Sequence, residues 1–245
     1  MMRTELTVAA VQFIPAPGDI AGNLQKTLVG SQAALDQGAR LIVFPELSLT
    51  GYDLGLLKDS EYWFVPDDVR LDPVRVLARK TGATIVVGAP VISDRGKSIA
   101  SVVLSPCAPD VIAPKTHLHG EEPAVAEPGQ GPTVIDCGGW RVALAVCYDT
   151  AFAEHAASAR SQGADVYAAS VLYTEGEEDV LSERLADRAG CNGMWSIAAN
   201  LGGFPLGSRS AGGSGVWSPS GQPIAAATGR DAELVIATIT SPADR

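Results

Sequence analysis

Arg141-Val142-Ala143-Leu144-Ala145-Val146-Cys147-Tyr148-Asp149-Thr150 is the stretch whose reading decides the fold of this chain. After Arg141 the run is apolar up to Val146, and it then breaks into a turn followed by a helix-like segment. An apolar run of that length, closed by a turn, reads as a strand buried on both faces. It leaves a thiol at the carboxyl end of the strand, where open α/β sheets place reactive groups and where the first backbone N–H groups after the strand can stabilise an oxyanion. Position alone leaves two readings of Cys147, a small hydrophobe packed in the core or a nucleophile presented at a strand edge.

Working outward, Thr133 to Asp136 and Arg141 to Val146 form two strands about a Cys-Gly-Gly-Trp turn, a hairpin spacing. Ala151 to Gln162 reads as a helix, Asp165 to Leu172 as a strand, Leu181 to Ala189 as a helix and Trp195 to Ala199 as a strand. Two last strands are expected near Gly215 to Ser218 and Leu234 to Thr240. Upstream, the strand Leu6 to Ile14 is ended by Pro15, Pro17 and Gly18. Between Ile20 and Gln37, Leu24, Leu28 and Leu35 recur near helical spacing, and Gly38 closes that helix before the strand Leu41 to Phe44. The alternation returns with a helix over Pro73 to Lys80, a strand over Thr84 to Val91, its hairpin partner Ser101 to Leu104 and a short strand at Asp110 to Ala113. Mixed hairpins and crossovers predict two sheets with helices outside, an α/β sandwich whose reactive groups gather at strand ends.

With 245 residues, 46% of them hydrophobic, the chain can fill one large α/β core. No linker-like stretch divides it, so a single domain over 1–245 is expected. The net charge of −10 argues against a general nucleic-acid surface, and no apolar stretch approaches a membrane span. Cys107, Cys137, Cys147 and Cys191 show no CxxC spacing and no secretory leader is read, so reduced thiols and a cytoplasmic location are expected.

Two further residues change the weight on Cys147. Glu46 follows a strand of otherwise apolar side chains, in Phe44-Pro45-Glu46-Leu47; a carboxylate so placed is partly desolvated, which moves its pKa toward that of a working base. A turn or helix-capping acid is the other reading of that position. Lys115 stands just past Val111 to Pro114, where the chain leaves a strand, and its ammonium could hold a thiolate or the oxyanion of acyl transfer.

Together with their flanks, FPELSLTGY (44–52), PKTHLHGEEPAVAEPG (114–129) and AVCYDTAFAEHA (145–156) resemble the three signature segments of the carbon–nitrogen hydrolase, or nitrilase, superfamily, in that family's order. The start AAVQF resembles its first strand, and GSGVWSPSGQPIAAA with ELVIATI its last hairpin, so the likeness spans nearly the whole chain. The resemblance implies a four-layer α-β-β-α sandwich, no cofactor and no metal, and at least a homodimer in which apolar helix faces are covered. By position it makes Glu46 the general base, Lys115 the catalytic lysine, Cys147 the nucleophile that forms a thioester, and Glu122 a supporting glutamate, since it stands six residues before Pro128; Glu121 is the alternative.

A thiol of ordinary pKa near ~8.5 is mostly protonated at neutral pH, so a base or a neighbouring cation must generate the thiolate. Glu46 and Lys115 are expected to do that, Lys115 and the Tyr148 N–H to hold the oxyanion, and Glu46 to return the proton to the leaving amine and then activate water. Cys-Tyr-Asp differs from the Cys-Trp-Glu that true nitrilases resemble, which favours the amidase-like branch: a small linear carboxamide or N-carbamoyl amine as substrate, with ammonia released. The alternatives kept are an acyltransferase with an amine acceptor and an idle member that binds a ligand or partner.

Other features have plainer readings. His117, His119 and Glu121 alternate as metal ligands sometimes do, but no His or Cys cluster accompanies them. His155 lies in the helix after Cys147 and is expected to point away from it. The acidic run Glu175, Glu177, Glu178 and Asp179 could select an amine-bearing substrate, yet Thr174 and Glu177 have capping-box spacing. Tyr52, Tyr148 and Tyr173 are candidate substrate-binding walls, and core packing is an equal reading of each. Ala113 and Pro114 before the lysine, Ala153, and Cys191 depart from the family's usual residues, which puts in doubt any transfer of specificity from a named subfamily.

Overall fold

The structure, a computed structural model, describes residues 4–241. The outermost residues of the span 1–245 lie outside the described residues.

Strand alternation builds the first sheet. In β1 (Glu5–Gln12), Leu6, Val8 and Ala10 face one side and Ala9 and Val11 the other, all buried. Both faces must therefore be covered, one by a second sheet and one by helices. β1 lies parallel to β2 (Leu41–Val43), which lies parallel to β3 (Thr84–Ser93). The crossovers are α1 (Ile20–Asp36), whose first turn is capped by the Asp19 carboxylate on Gly22 N, and α2 (Asp72–Thr81), with Pro73 in its first turn. β4 (Gly96–Leu104) and β5 (Val111–Pro114) continue the sheet antiparallel.

The second sheet repeats the plan. β6 (Thr133–Cys137) and β7 (Trp140–Val146) form the expected hairpin; Gly138 and Gly139 both take positive φ, 62° and 91°, as a two-residue turn with the strands' twist requires. β7, β8 (Val166–Val171) and β9 (Trp195–Asn200) are parallel, joined through α3 (Ala153–Ser161) and α4 (Glu178–Asn192). β10 (Gly215–Trp217) and β11 (Pro223–Ala226) extend it antiparallel. The two sheets pack through Leu6, Val8, Val43 and Val86 against Ile135, Val142, Leu144 and Ile197. Helices α1 and α2 cover the outer face of the first sheet and α3 and α4 that of the second. This is the four-layer α-β-β-α sandwich.

Three local expectations are corrected. β11 is an additional strand beyond those expected from periodicity; it opens on proline and is mostly exposed, features of an edge that carries little hydrophobic signal. The hairpin lies within GSGVWSPSGQPIAAA, where β10 pairs with β11, and ELVIATI is not part of it: β12 (Glu233–Thr240) crosses to the other sheet and pairs antiparallel with β1 over its full length. Finally, α3 begins at Ala153 and not at Ala151, since Cys147–Ala151 winds as a tight 3-10 helix, stabilised where the Asp149 carboxylate accepts from Val146 N at 3.0 Å.

Candidate active site

Glu46 follows β2, Lys115 follows β5 and Cys147 follows β7, and the fold brings the three strand ends together. The turn carrying Glu46 is pressed onto β3: Leu49 N donates to Gly88 O (3.0 Å) and Gly88 N to Ser48 Oγ (3.0 Å). A Cβ on Gly88 would stand 2.2 Å from Pro45 O and 2.4 Å from Leu47 N, so only glycine allows that approach. Leu47 and Cys147 both adopt positive φ, 47° and 45°, conformations unfavourable for side-chain-bearing residues that surrounding bonds must hold.

Lys115 is fully buried. Its Nζ donates to Glu46 Oε1 at 2.7 Å and to Glu122 Oε1 at 2.6 Å. Glu122 is itself buried and saturated, with Oε1 also accepting from Tyr52 OH (2.6 Å) and Oε2 from His119 N (2.7 Å). Glu121, the alternative in that segment, is exposed. Glu46 differs in one respect: its Oε2 is buried and makes no hydrogen bond of normal geometry. Burial raises the Glu46 pKa, the Lys115 ammonium lowers it and Glu122 raises it again, for a result of about 7. Burial works against the charge on Lys115, but Glu46, Cys147 and Glu122 outweigh it and hold the ammonium above its ordinary range.

The Cys147 thiol donates to Leu172 O at 3.4 Å. Burial first and the Glu46 charge second push its pKa up, against the opposing pull of Lys115. The resting thiol is therefore protonated. The Lys115 ammonium favours the thiolate form and is shared with the carboxylates of Glu46 and Glu122.

The three tyrosines separate. Tyr52 borders a cleft of about 560 Å³, together with Leu54, His119, Glu121, Phe204 and Leu206. Burial and the charges of Glu46 and Glu122 keep its hydroxyl protonated. Tyr148 is partly exposed and packs between the His119 ring (4.6 Å) and Phe152 (5.2 Å). Tyr173 is 2% exposed and belongs to the helix-side core, its hydroxyl on Thr150 Oγ1 (2.7 Å) and accepting from Arg184 (2.9 Å). It supports the Cys147–Ala151 turn through Thr150.

His117 spends Nδ1 on Asp149 (3.0 Å) and stacks on Phe152. His155 is buried with Nδ1 on Tyr167 OH, and burial lowers its pKa. Among the described residues no group of three or more His, Cys, Asp or Glu side chains is placed to hold a metal ion, and no helix is long and apolar enough to cross a membrane. In the acidic run, Glu175 and Glu178 pair with Arg230, Glu177 accepts from Thr174 N (2.8 Å), and Glu178 and Asp179 lie in the first turn of α4, where the helix dipole favours them.

Two buried groups escaped the sequence reading. Asp149 joins the lysine segment to the nucleophile turn, and Arg188 ties that turn to α4 by donating to Thr150 O at 3.0 Å. Asp149 stood two residues after the cysteine, where the only available signal was a carboxylate next to an apolar run.

A model of the carbon-nitrogen hydrolase family matches residues 7–243. The chain belongs to that family. Among its relatives are a hydrolase of Pseudomonas protegens, 29% identical over 96% of this chain and 82% of that protein, and an (R)-stereoselective amidase of a Pseudomonas species, 28% identical over 92% and 82%. An amidase from Nesterenkonia sp. superposes with a TM-score of 0.87 at 28% identity, covering 97% of this chain and 91% of that one; in that structure the acetamide moiety of fluoroacetamide is covalently added at the active-site cysteine. A mutant of the same amidase holds butyramide, with a TM-score of 0.86. This carbon–nitrogen hydrolase is thus an amidase-like member of the nitrilase superfamily, an enzyme with an active-site cysteine.

Proposed function

We propose that the enzyme hydrolyses a small linear carboxamide, or an N-carbamoyl amine, through a thioester on Cys147 and releases ammonia. The observation that carries this reading is the free, buried Oε2 of Glu46, on a carboxylate with a pKa of about 7 beside a protonated thiol. A base whose pKa lies near neutrality can take a proton and give it back within one cycle.

The steps follow from that arrangement. Glu46 takes the Sγ proton as sulfur attacks the carbonyl carbon, so the thiolate exists only while the C–S bond forms. The carbonyl oxygen becomes an oxyanion, held by the Lys115 ammonium and the Tyr148 N–H. Glu46 returns its proton to the departing nitrogen, the C–N bond breaks and ammonia leaves. It then takes a proton from water, whose oxygen attacks the thioester; the C–S bond breaks, the sulfur regains its proton from Glu46, and the acid is released, a carboxylic acid from a carboxamide or, from an N-carbamoyl amine, a carbamic acid that loses CO2 to leave the amine. Glu122 keeps Lys115 oriented, since both its oxygens already have donors. Tyr52 and Tyr148 border the substrate, with Tyr173 in support. The reading includes a single domain over 1–245, since no linker-like stretch divides the sequence, and a homodimer, drawn from the family resemblance.

Support also comes from the Nesterenkonia sp. amidase, which binds butyramide in one mutant and acrylamide in another. The test is ammonia release from short amides, carbamoyl amines and nitriles by the wild type and Cys147→Ala. Release by the wild type alone, strongest on an amide or carbamoyl compound, is expected. Release by both proteins, or by neither across the panel, overturns the reading; transfer of the acyl group to hydroxylamine without hydrolysis would replace it with acyl transfer.

A further inference from the structure

The lysine and the nucleophile sit on different strands of different sheets, so something must set the distance between them. Asp149 does so from the third position of the nucleophile turn. It is 1% exposed, and its Oδ1 accepts from Thr116 N (3.1 Å), His117 N (2.8 Å) and His117 Nδ1 (3.0 Å). Its Oδ2 accepts from Val146 N (3.0 Å) and more weakly from Thr116 N (3.3 Å). Thr116 and His117 directly follow Lys115, and Val146 directly precedes Cys147. One carboxylate thus binds the backbone on both sides of the reacting pair.

We propose that Asp149 is a positioning residue for the hydrolysis, a buried clamp that fixes the Lys115 segment against the Cys147 turn. It rests on the thiol-hydrolysis reading above. The clamp must be anionic, or at least acceptor-only, because every partner it meets on these two segments is an N–H donor. Its neighbours from other elements agree with that. His155 Nε2 lies 3.8 Å from Oδ2, Tyr167 bonds the far side of that imidazole, and the His117 ring closes the remaining face. Cys147 has a positive φ of 45°, a conformation the isolated turn would leave; the bond from Val146 N to Asp149 is one of those that retain it.

Asp149→Asn is close to isosteric, yet its amide nitrogen must face an N–H group it cannot accept from, so one side of the clamp opens. A displacement of about 1 Å between reacting groups can cost on the order of a hundredfold in rate. The experiment measures two quantities on the full chain, kcat and KM for the best amide found, corrected by active-site titration, and the pH profile of iodoacetamide modification at Cys147, followed by mass of the Cys147 peptide because Cys107 and Cys191 are exposed and react as well. Glu46 is faced by Lys115, Glu122 and Cys147, and loss of Lys115 from its side raises its pKa. The expected result for Asp149→Asn is a kcat lower by about 30-fold or more, KM within about threefold, and an alkylation profile whose rise, near pH 7 in the wild type, moves to higher pH.

A kcat and an alkylation profile equal to wild type, with only thermal stability reduced, overturns the proposal and leaves the hydrolase reading standing. If no amide is turned over by the wild type, the hydrolase reading fails, and the alkylation profile alone decides the clamp. If Asp149→Asn does not fold, His117→Phe takes its place: it keeps a ring against Phe152 and deletes only the Nδ1 contact. A shift of the same sign supports the clamp, and an unchanged profile overturns it.

Discussion

Glu46 and Lys115, 69 residues apart in the chain, meet at 2.7 Å with no more than 1% of either side chain exposed. A buried ion pair costs more desolvation than its attraction returns unless further partners satisfy it. Here the further partner is a second carboxylate, Glu122, so the buried set carries one ammonium and two acids. Burial, only partly offset by that ammonium and reinforced by the charge of Glu122, leaves Glu46 with a pKa of about 7, and that has a consequence for activity. In the proposed cycle the base form of Glu46 accepts the thiol proton, so kcat/KM should rise through about pH 7 and level above it. Glu46→Gln should abolish that rise and lower kcat by roughly 10²- to 10⁴-fold. A pH–rate profile of both proteins on one amide checks this, and a wild-type profile flat from pH 5 to 8 would contradict it.

The same shift bears on stability, with the opposite dependence. Glu46 holds its proton more tightly folded than unfolded, where its value is 4.5. Its contribution is therefore fully present below pH 4.5 and is lost as pH rises through about 7. The shift of about 2.5 corresponds to roughly 3 kcal/mol. Urea unfolding should show Glu46→Gln gaining stability relative to wild type between pH 5 and pH 8, and no relative change would count against the shift.

Lys115→Met leaves two buried carboxylates facing each other without their cation. Removing one partner of a buried pair typically costs about 3–5 kcal/mol. The loss should be larger at pH 8 than at pH 5, where Glu46, its pKa raised by burial, holds a proton. Denaturant midpoints at the two pH values measure it, and equal losses would show that the carboxylates do not sense the ammonium.

How much of this could be read in advance differs by residue. The apolar runs ending at Phe44 and Val146 foretold buried strands, and with them that Glu46 and Cys147 stand at strand ends. Lys115 had no such signal of its own; only the resemblance of its segment singled it out, because a lysine after a short strand is ordinary on any surface. Asp149 and Arg188 were not legible as parts of the site, since the partners that tie them to it are mostly backbone groups that only the folded turn assembles. The crossing of β12 to the first sheet was hidden for a similar reason: pairing over 200 residues leaves no local trace beyond alternation.

Gly88→Ala tests how firmly β3 sets the base. The new methyl would meet Pro45 O, Leu47 N and the Glu46 carbonyl carbon at 2.2, 2.4 and 2.8 Å, all backbone atoms with no side chain to yield. The turn must lift, taking Glu46 with it. We expect a loss of roughly 1–3 kcal/mol from overpacking and a kcat lower by on the order of tenfold or more, read by urea unfolding and by steady-state rates. Full activity in a merely less stable protein would mean that the Glu46 turn can move without harm.

Phe204 and Leu206 stand 70% and 60% exposed on the rim of the cleft that Tyr52 and His119 line. Water-facing apolar side chains at the mouth of a cleft gain free energy only when something covers them, and the acyl chain of a substrate longer than acetamide would extend that way if it runs outward past Tyr52. Covering about 40 Å² of ring at ~25 cal/mol per Å² is worth roughly 1 kcal/mol, or about a fivefold change in affinity. Phe204→Ser should therefore raise KM for hexanamide by about fivefold while leaving acetamide kinetics as they are. If both substrates respond alike, or neither does, the acyl chain takes another route from Cys147 and the rim has no part in choosing it.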